Sequence, residues 1–315
     1  MLPSDFEARA ARLLGGRLRP NVPLAPLTTL KVGGAADWLA EVRTVEELTA
    51  LLAMADECGV PVTLLGGGSN VVIADAGVRG LVVRLRLSGV SQPTEECIRG
   101  EAGLTMNGLV RWTIGRGLAG LEDWAGTPGT IGGAIHGNAH WRGRNIGDLV
   151  TRVMLASASG QISEVAPAAM EFGYDTSRIQ RTHEVVLWAE FQVSAGDPDV
   201  LRARARASLA YRKRTQPLAM PSAGCMFQNP DPARDALPPA MPASAGALVD
   251  RAGLKGRREG GARISETHAN FIVNEGGATA RDIRTLVEAA RRAVRDQFGV
   301  VLRDEVVYLG NFERG

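Results

Sequence analysis

Apolar residues recur at helical spacing in two long stretches of the chain. In "TVEELTALLAMADECGV", Leu48, Leu51, Leu52 and Ala55 share one face, Thr44 and Glu47 stand at capping-box spacing, and Gly59 supplies a stop. In "TARDIRTLVEAARRAVRDQFG" the stripe is Ile283, Leu286, Val287, Ala290, Val294 and Phe298, with Thr279 and Asp282 at cap spacing and Gly299 after the last turn. A third, basic amphipathic helix is predicted from Asp197 to Lys213. Elsewhere short apolar runs of strand length dominate: "PVTLL" from Pro61 to Leu65, "VVIAD" and "LVVRLR" around a Gly77 to Gly80 turn, and "VVLWAEFQV" from Val185 to Val193. "VVLRDEVVYLG" is predicted to close the chain as a strand. A Pro/Ala-rich region reaching about Ser244 shows no period and reads as a loop-dominated boundary. No repeat of solenoid period is present.

Composition narrows this picture to a globular, loop-rich α/β or α+β enzyme. The chain has 315 residues, 45% hydrophobic and 22% charged, with 38 glycines, enough for about two domains with cores that need no covalent staples. The net charge is +2 with basic residues spread throughout, so no long-range field favours nucleic acid or a membrane surface, while a small anionic ligand remains compatible. The N-terminal stretch lacks a signal pattern and no run reaches the ~18 apolar residues of a span, which leads us to expect a cytoplasmic protein. Cys58, Cys97 and Cys225 are odd in number and form no CxxC pair, so neither a disulfide framework nor a cysteine zinc site is expected. His136 and His140 are four residues apart but sit in a glycine-rich run without a neighbouring carboxylate; we expect no metal, and surface or ligand-lining roles for both.

Chemistry gathers in two glycine runs. "LLGGGSNVV" follows an apolar strand, and Gly66, Gly67 and Gly68 offer successive main-chain N–H groups without side-chain obstruction, with Ser69 and Asn70 adding donors. It fits neither G-x-G-x-x-G opening a helix nor the Walker pattern, and alone it could be a plain turn between strands. The second run, "PGTIGGAIHGNA", holds Pro128, Gly129, Thr130, Ile131, Gly132, Gly133 and Gly137. Together they suggest one large ligand with several phosphates or rings, such as a dinucleotide. In "PSAGCMFQNP", Cys225 stands in a loop-like segment and could be an acid, a metal ligand or a small buried hydrophobe.

These runs belong to an ordered set: "PLTTLKVGGAADWL", "LLGGGSN", "GTPGTIGGAIHGNA", "FGYDTSR", "YRKRTQP", "PSAGCMFQNP", "LVDRAGLKGRREGGARISETHANFIVN" and "LRDEVVYLG". The set resembles the UDP-N-acetylenolpyruvoylglucosamine reductase family over nearly the whole chain, in its compact subtype without a tyrosine-bearing lid loop. The resemblance implies an α+β fold with a two-subdomain FAD-binding module of the p-cresol methylhydroxylase type plus a smaller α+β substrate-binding domain. On this reading the FAD module covers 1–196, with subdomains of about 1–60 and 61–196. The substrate domain covers 197–300, and 301–315 returns as a strand to the active site. It further implies a monomer that takes NADPH and a UDP-sugar, passing a hydride from NADPH to flavin N5 and then to C3 of the enolpyruvyl ether, with a proton added at C2.

Residue roles follow from the same resemblance. Gly66 to Asn70 would hold the FAD pyrophosphate, Pro128, Gly129, Thr130, Ile131, Gly132 and Gly133 would lie along the flavin, and Lys31, Gly33 and Gly34 would contribute nearby. Cys225 takes the proton-donor position, where the family usually has serine. A thiol with an ordinary pKa of roughly 8.5 is mostly protonated at neutral pH and is a stronger acid than a hydroxyl. Glu305 matches the family's catalytic carboxylate, an acid or hydrogen-bond donor at the substrate carboxylate or C2. The arginine expected after Tyr174 is replaced by Asp175, and Arg178, three residues on, is the candidate substitute. Tyr174, Arg212, Lys213, Gln216 and Asn229 are the expected substrate contacts, with Gln228 in place of a more usual basic residue. Two alternatives stay open on sequence alone: another FAD oxidoreductase of the same fold, or a nucleotide-sugar binding protein without turnover.

Overall fold

The computed structural model describes residues 3–312, and the three predicted helices are present. The Thr44 hydroxyl accepts from the Glu47 N–H (3.1 Å) and starts the Val45–Glu57 helix, which buries Leu48, Leu51, Leu52 and Ala55. The Glu47 carboxylate reaches beyond the helix, taking two donors from Arg17 (2.7 and 2.5 Å) and the Arg43 N–H (2.8 Å). The Ala280–Phe298 helix has a complete capping box between Thr279 and Asp282, ends at Gly299 with φ 71°, and buries Ile283, Leu286, Val287, Ala290 and Val294. The Asp75 carboxylate adds a second cap, accepting from the Ala280 and Arg281 N–H groups (2.8 and 3.0 Å). The basic helix runs over Pro198–Thr215. Two more helices, Ser4–Leu14 and Met106–Ile114, lack a broad apolar stripe or carry an internal glycine: the first buries only Phe6, Ala10 and Leu14, and the second includes Gly108.

By packing, the chain forms two units that interleave in sequence: one takes residues up to 22, 36–67 and 79–211, the other 23–35, 68–78 and 212 onward. The first contains a four-stranded sheet in the order Leu18–Pro23, Ala35–Val42, Val78–Leu85, Val62–Leu64, with Val62 parallel to Leu81. It also contains a five-stranded antiparallel sheet in the order Ile162–Val165, Val150–Ala156, Val185–Gln192, Cys97–Glu101, Val90–Thr94. Each sheet has its own core. Phe6, Leu48, Leu51, Leu81 and Val83 pack on the first, and Ile98, Leu109, Trp124, Ile131, Ile135 and Phe191 on the second.

The second unit holds an antiparallel sheet in the order Ser222–Cys225, Phe271–Asn274, Ala262–Ile264, Arg258–Glu259. Its core joins Phe227, Leu248, Ile272, Leu286 and Val287 to Leu30, Val32 and Val72 from the two inserted segments. The sequence places consecutive domains at 1–196, 197–300 and 301–315, whereas packing groups 23–35 and 68–78 with the C-terminal part. The cause is pairing across long sequence distances: Val71–Ile73 lies parallel to Val307–Leu309, and the Asn274 side-chain amide donates to Leu30 O (3.1 Å). The predicted closing strand is correspondingly shorter. Only Val307–Leu309 joins a ladder, because upstream carbonyls and amides are taken by a side chain and by the chain after Cys225.

Candidate active site

The strand leading to Cys225 is bulged. Ser222 faces Val273 while Cys225 faces Phe271, so three steps on one strand match two on its partner. Gly224 absorbs the extra residue at φ +79°, a conformation that costs a glycine little. Past the bulge the chain leaves the ladder and is gripped by Asn270, only 2% exposed: the Met226 N–H donates to Asn270 O (2.8 Å), the Phe227 N–H to Asn270 Oδ1 (2.9 Å), and Asn270 Nδ2 to Phe227 O (2.7 Å).

Four sequence-distant motifs of the second unit meet here. The Thr29 N–H donates to Gly68 O (2.9 Å) and its hydroxyl to Ser222 O (2.6 Å), joining "TTLKVGG", "GGGSN" and "PSAGC". The Glu305 N–H donates to Met226 O (2.9 Å), Asn70 Nδ2 donates to Glu305 O (3.1 Å), and the Val307 N–H returns to Asn70 O (3.0 Å). The segments of Cys225, Glu305 and Asn70 are therefore joined by backbone bonds and by the Asn70 side-chain amide, with Cys225 and Glu305 both partly buried. Lys31 sits at φ +60° with its N–H on Thr28 Oγ1 (3.0 Å) and its Nζ on Pro26 O (3.0 Å). Gly33 and Gly34 serve close approach: a Cβ would lie 2.6 Å from Ile73 Cβ at the first and 2.2 Å from Asp75 O at the second.

The two glycine runs also converge. A Cβ on Gly67 would lie 2.6 Å from Gly129 Cα, and one on Gly66 would lie 2.8 Å from Thr130 Oγ1. No acceptor among the described residues takes the N–H of Gly66, Gly67, Gly68, Ser69 or Asn70. Five successive main-chain donors, three of them on glycines, fit the pyrophosphate of a dinucleotide such as FAD. The second run differs: Thr130 caps a short Ile131–His136 helix that the sequence reading did not anticipate, and the Ile131 and Gly132 N–H groups are taken by Leu104 O and Ala102 O (both 2.9 Å). Its glycines permit contact, while the first run presents donors.

Tyr174 and its neighbours lie in the first unit. Tyr174 is 44% exposed with its ring centroid 4.9 Å from that of His140. Asp175, at φ +56°, turns its carboxylate to His140 Nδ1 (2.9 Å), and Gln180 Nε2 holds its carbonyl (2.8 Å). Arg178 makes a two-pronged pair with Glu184 (Nε–Oε2 2.9 Å, Nη2–Oε1 2.7 Å), and Nη1 donates to Ala169 O (3.4 Å). The hydrogen bond from Arg178 holds the Glu184 carboxyl below its ordinary value.

The remaining expected contacts lie in the second unit. Arg212 is 5% exposed, and burial brings its guanidinium down to about 10, so it stays charged at neutral pH. Lys213 is exposed, and the Gln216 N–H closes on Arg212 O (2.9 Å). Asn229 Oδ1 accepts from the Ala245 N–H (3.0 Å) at the start of the Ala245–Arg251 helix. Sequence reasoning did not single out Thr29, Gly224 or Asn270. The signals were a polar residue directly before an all-buried strand in "HANFIVN" and a glycine directly before Cys225.

The chain is similar to known proteins along nearly its whole length. A family model described as the C-terminal domain of UDP-N-acetylenolpyruvoylglucosamine reductase matches residues 216–309, and one described as an FAD binding domain matches 36–166. The UDP-N-acetylenolpyruvoylglucosamine reductase of Synechococcus sp. (strain JA-3-3Ab) is 40% identical over 99% of this chain and 97% of its own length. That of Geobacter metallireducens is 37% identical over 97% of this chain and 98% of its own. The crystal structure of the enzyme from Thermus caldophilus superposes with a TM-score of 0.75 at 33% identity, covering 93% of this chain and all of that one. Identity of 36–40% to curated members along nearly the whole chain, with both family models matched, leads to one assignment: the chain belongs to the UDP-N-acetylenolpyruvoylglucosamine reductase family, FAD-dependent oxidoreductases of peptidoglycan synthesis.

Proposed function

We propose that this chain reduces the enolpyruvyl ether of UDP-N-acetylglucosamine with Cys225 as the proton donor to C2 and Glu305 as its carboxylate partner. The observation that carries the reading is the Glu305 N–H to Met226 O bond, which ties the two expected catalytic segments together one residue after Cys225. FAD, when bound, would supply the hydride-transfer chemistry between NADPH and the enolpyruvyl ether. When bound, its pyrophosphate would be held by the N–H groups of Gly66 to Asn70, and the resemblance assigns further FAD contacts to Pro128 to Gly133 and to Lys31, Gly33 and Gly34. Negative charge develops at C2 and the adjacent carboxylate. Cys225 Sγ–H places a proton on C2 there, and Glu305 in its protonated form donates a hydrogen bond or proton to the same region.

Arg212 and Lys213 bring positive charge to the UDP-sugar diphosphate, Gln216 and Asn229 provide polar contacts, and Tyr174 presents a half-exposed ring to sugar or nicotinamide. Arg178 acts through the Tyr174 loop: each of its three side-chain nitrogens donates to Glu184 or Ala169, so it fixes the loop that carries the tyrosine. The protein works as a monomer in the cytoplasm, where the nucleotide substrates are; light scattering of the purified protein checks the first point. Among the described residues no helix is long and apolar enough to cross a membrane.

The function is tested on purified protein. A flavin spectrum bleached by NADPH under anaerobic conditions and restored by the enolpyruvyl UDP-sugar is expected. Restoration by unrelated alcohols or amines, or a colourless protein that fails to take up FAD, would overturn the reading.

A further inference from the structure

Glu305 lies outside any regular ladder, and this raises the question of what fixes it. The next strand begins only at Val307, and upstream only a single bridge links Asp304 to Phe227. Two groups hold the segment from opposite ends. Asn70 clamps the downstream side, donating to Glu305 O and accepting from the Val307 N–H. On the upstream side is Arg291 of the Ala280–Phe298 helix. Its Nε donates to Leu302 O (3.2 Å), its Nη2 to Asp304 Oδ1 (2.6 Å), and its Nη1 to Glu288 Oε1 (2.5 Å). The same guanidinium carbon lies 5.9 Å from the centre of the Phe227 ring, two residues after Cys225. Between the clamps, the Gln228 N–H meets Arg303 O and the Glu305 N–H meets Met226 O (both 2.9 Å).

One rigid fork thus spans the carbonyl of residue 302 and the carboxylate of residue 304 while resting near Phe227. From this geometry we infer that Arg291, through Asp304 and Leu302, is a positioning residue that sets Glu305 against the Cys225 segment. Arg291 is itself held from below: Glu288 also binds Arg284 (2.6 Å), and Arg284 stands 3.9 Å from Asp304 and 4.6 Å from the Tyr308 ring centre. The alternating charges keep the guanidinium plane in one orientation, which a flexible ammonium could not reproduce. Lysine in its place could satisfy Leu302 O or Asp304, but not both in the same geometry. The Glu305 backbone would then move relative to Met226, and a shift of about 1 Å at a catalytic group can cost up to about a hundredfold in rate.

The inference rests on the proposed role of Glu305, so Glu305→Gln is measured beside Arg291→Lys and Asp304→Asn in FAD-loaded protein. We expect Arg291→Lys to keep its melting temperature, its FAD and its rate of bleaching by NADPH within about twofold, while colour recovery with the enolpyruvyl substrate slows by roughly tenfold to a hundredfold. Amide hydrogen exchange of a peptide covering residues 302–309, measured without substrate or NADPH, should speed up in the same variant. If Arg291→Lys does not fold, Asp304→Asn, which keeps the shape and loses the charge, is expected to show the same split to a smaller degree. Slow recovery in Glu305→Gln with unchanged recovery and unchanged exchange in both positioning variants would overturn the inference and leave the Glu305 role standing. Unchanged recovery in Glu305→Gln would remove the role itself.

Discussion

At Gly68 one missing side chain decides whether a loop can exist. Its φ is +64°, and a Cβ there would lie 2.4 Å from Leu27 O and 2.8 Å from Thr28 Cα, both backbone atoms that cannot step aside. Gly68→Ala should therefore lower both FAD affinity and melting temperature, checked by flavin retention on gel filtration and by thermal melts; full FAD occupancy at wild-type stability would contradict the cradle. The glycine run and Cys225 were legible in the sequence because they carry unusual residue types in a row. The replacement of the expected arginine by Asp175 was legible too, but its consequence was not. Only the fold shows that Asp175 turns to His140 and that Arg178 is occupied by Glu184. Those partners are 35 and 6 residues away, and no local pattern encodes them.

Among the elements, helices with a wide apolar stripe and a cap were readable, and the closing strand was only partly so. "VVLRDEVVYLG" has strand composition, yet Arg291, Met226 and Gln228 capture its backbone before a ladder can form. Tertiary bonds there override propensity. The Val45–Glu57 helix gives a pH test of the ion pair that anchors its first turn. The Arg17 hydrogen bond brings the Glu47 carboxyl from its ordinary 4.5 down to about 2, with the Arg43 N–H contributing. A depressed carboxyl stabilises the fold above its unfolded value and loses that contribution as pH falls through its folded value. Glu47→Gln should thus melt a few degrees below wild type at neutral pH, with the difference closing as pH falls from about 4.5 towards about 2. A difference independent of pH would show that the ion pair is not its source.

At the scale of the whole molecule, the ordered motifs pointed to the family before any packing was known, because they span nearly the entire chain. The interleaving of the two packing units was not readable, since it depends on Val71–Ile73 choosing Val307–Leu309 as a neighbour more than two hundred residues away. That pairing is also what puts Asn70 beside Glu305 and so joins the segments proposed to be catalytic. The central claim is that Cys225, so placed, delivers the proton to C2. Anaerobic single-turnover absorbance tests it most directly, following enzyme first bleached by NADPH and then mixed with the enolpyruvyl UDP-sugar. The account expects normal bleaching in Cys225→Ala with colour recovery and product formation slowed by at least about a hundredfold, and substantial activity in Cys225→Ser. Recovery and product formation at the wild-type rate in Cys225→Ala would contradict it.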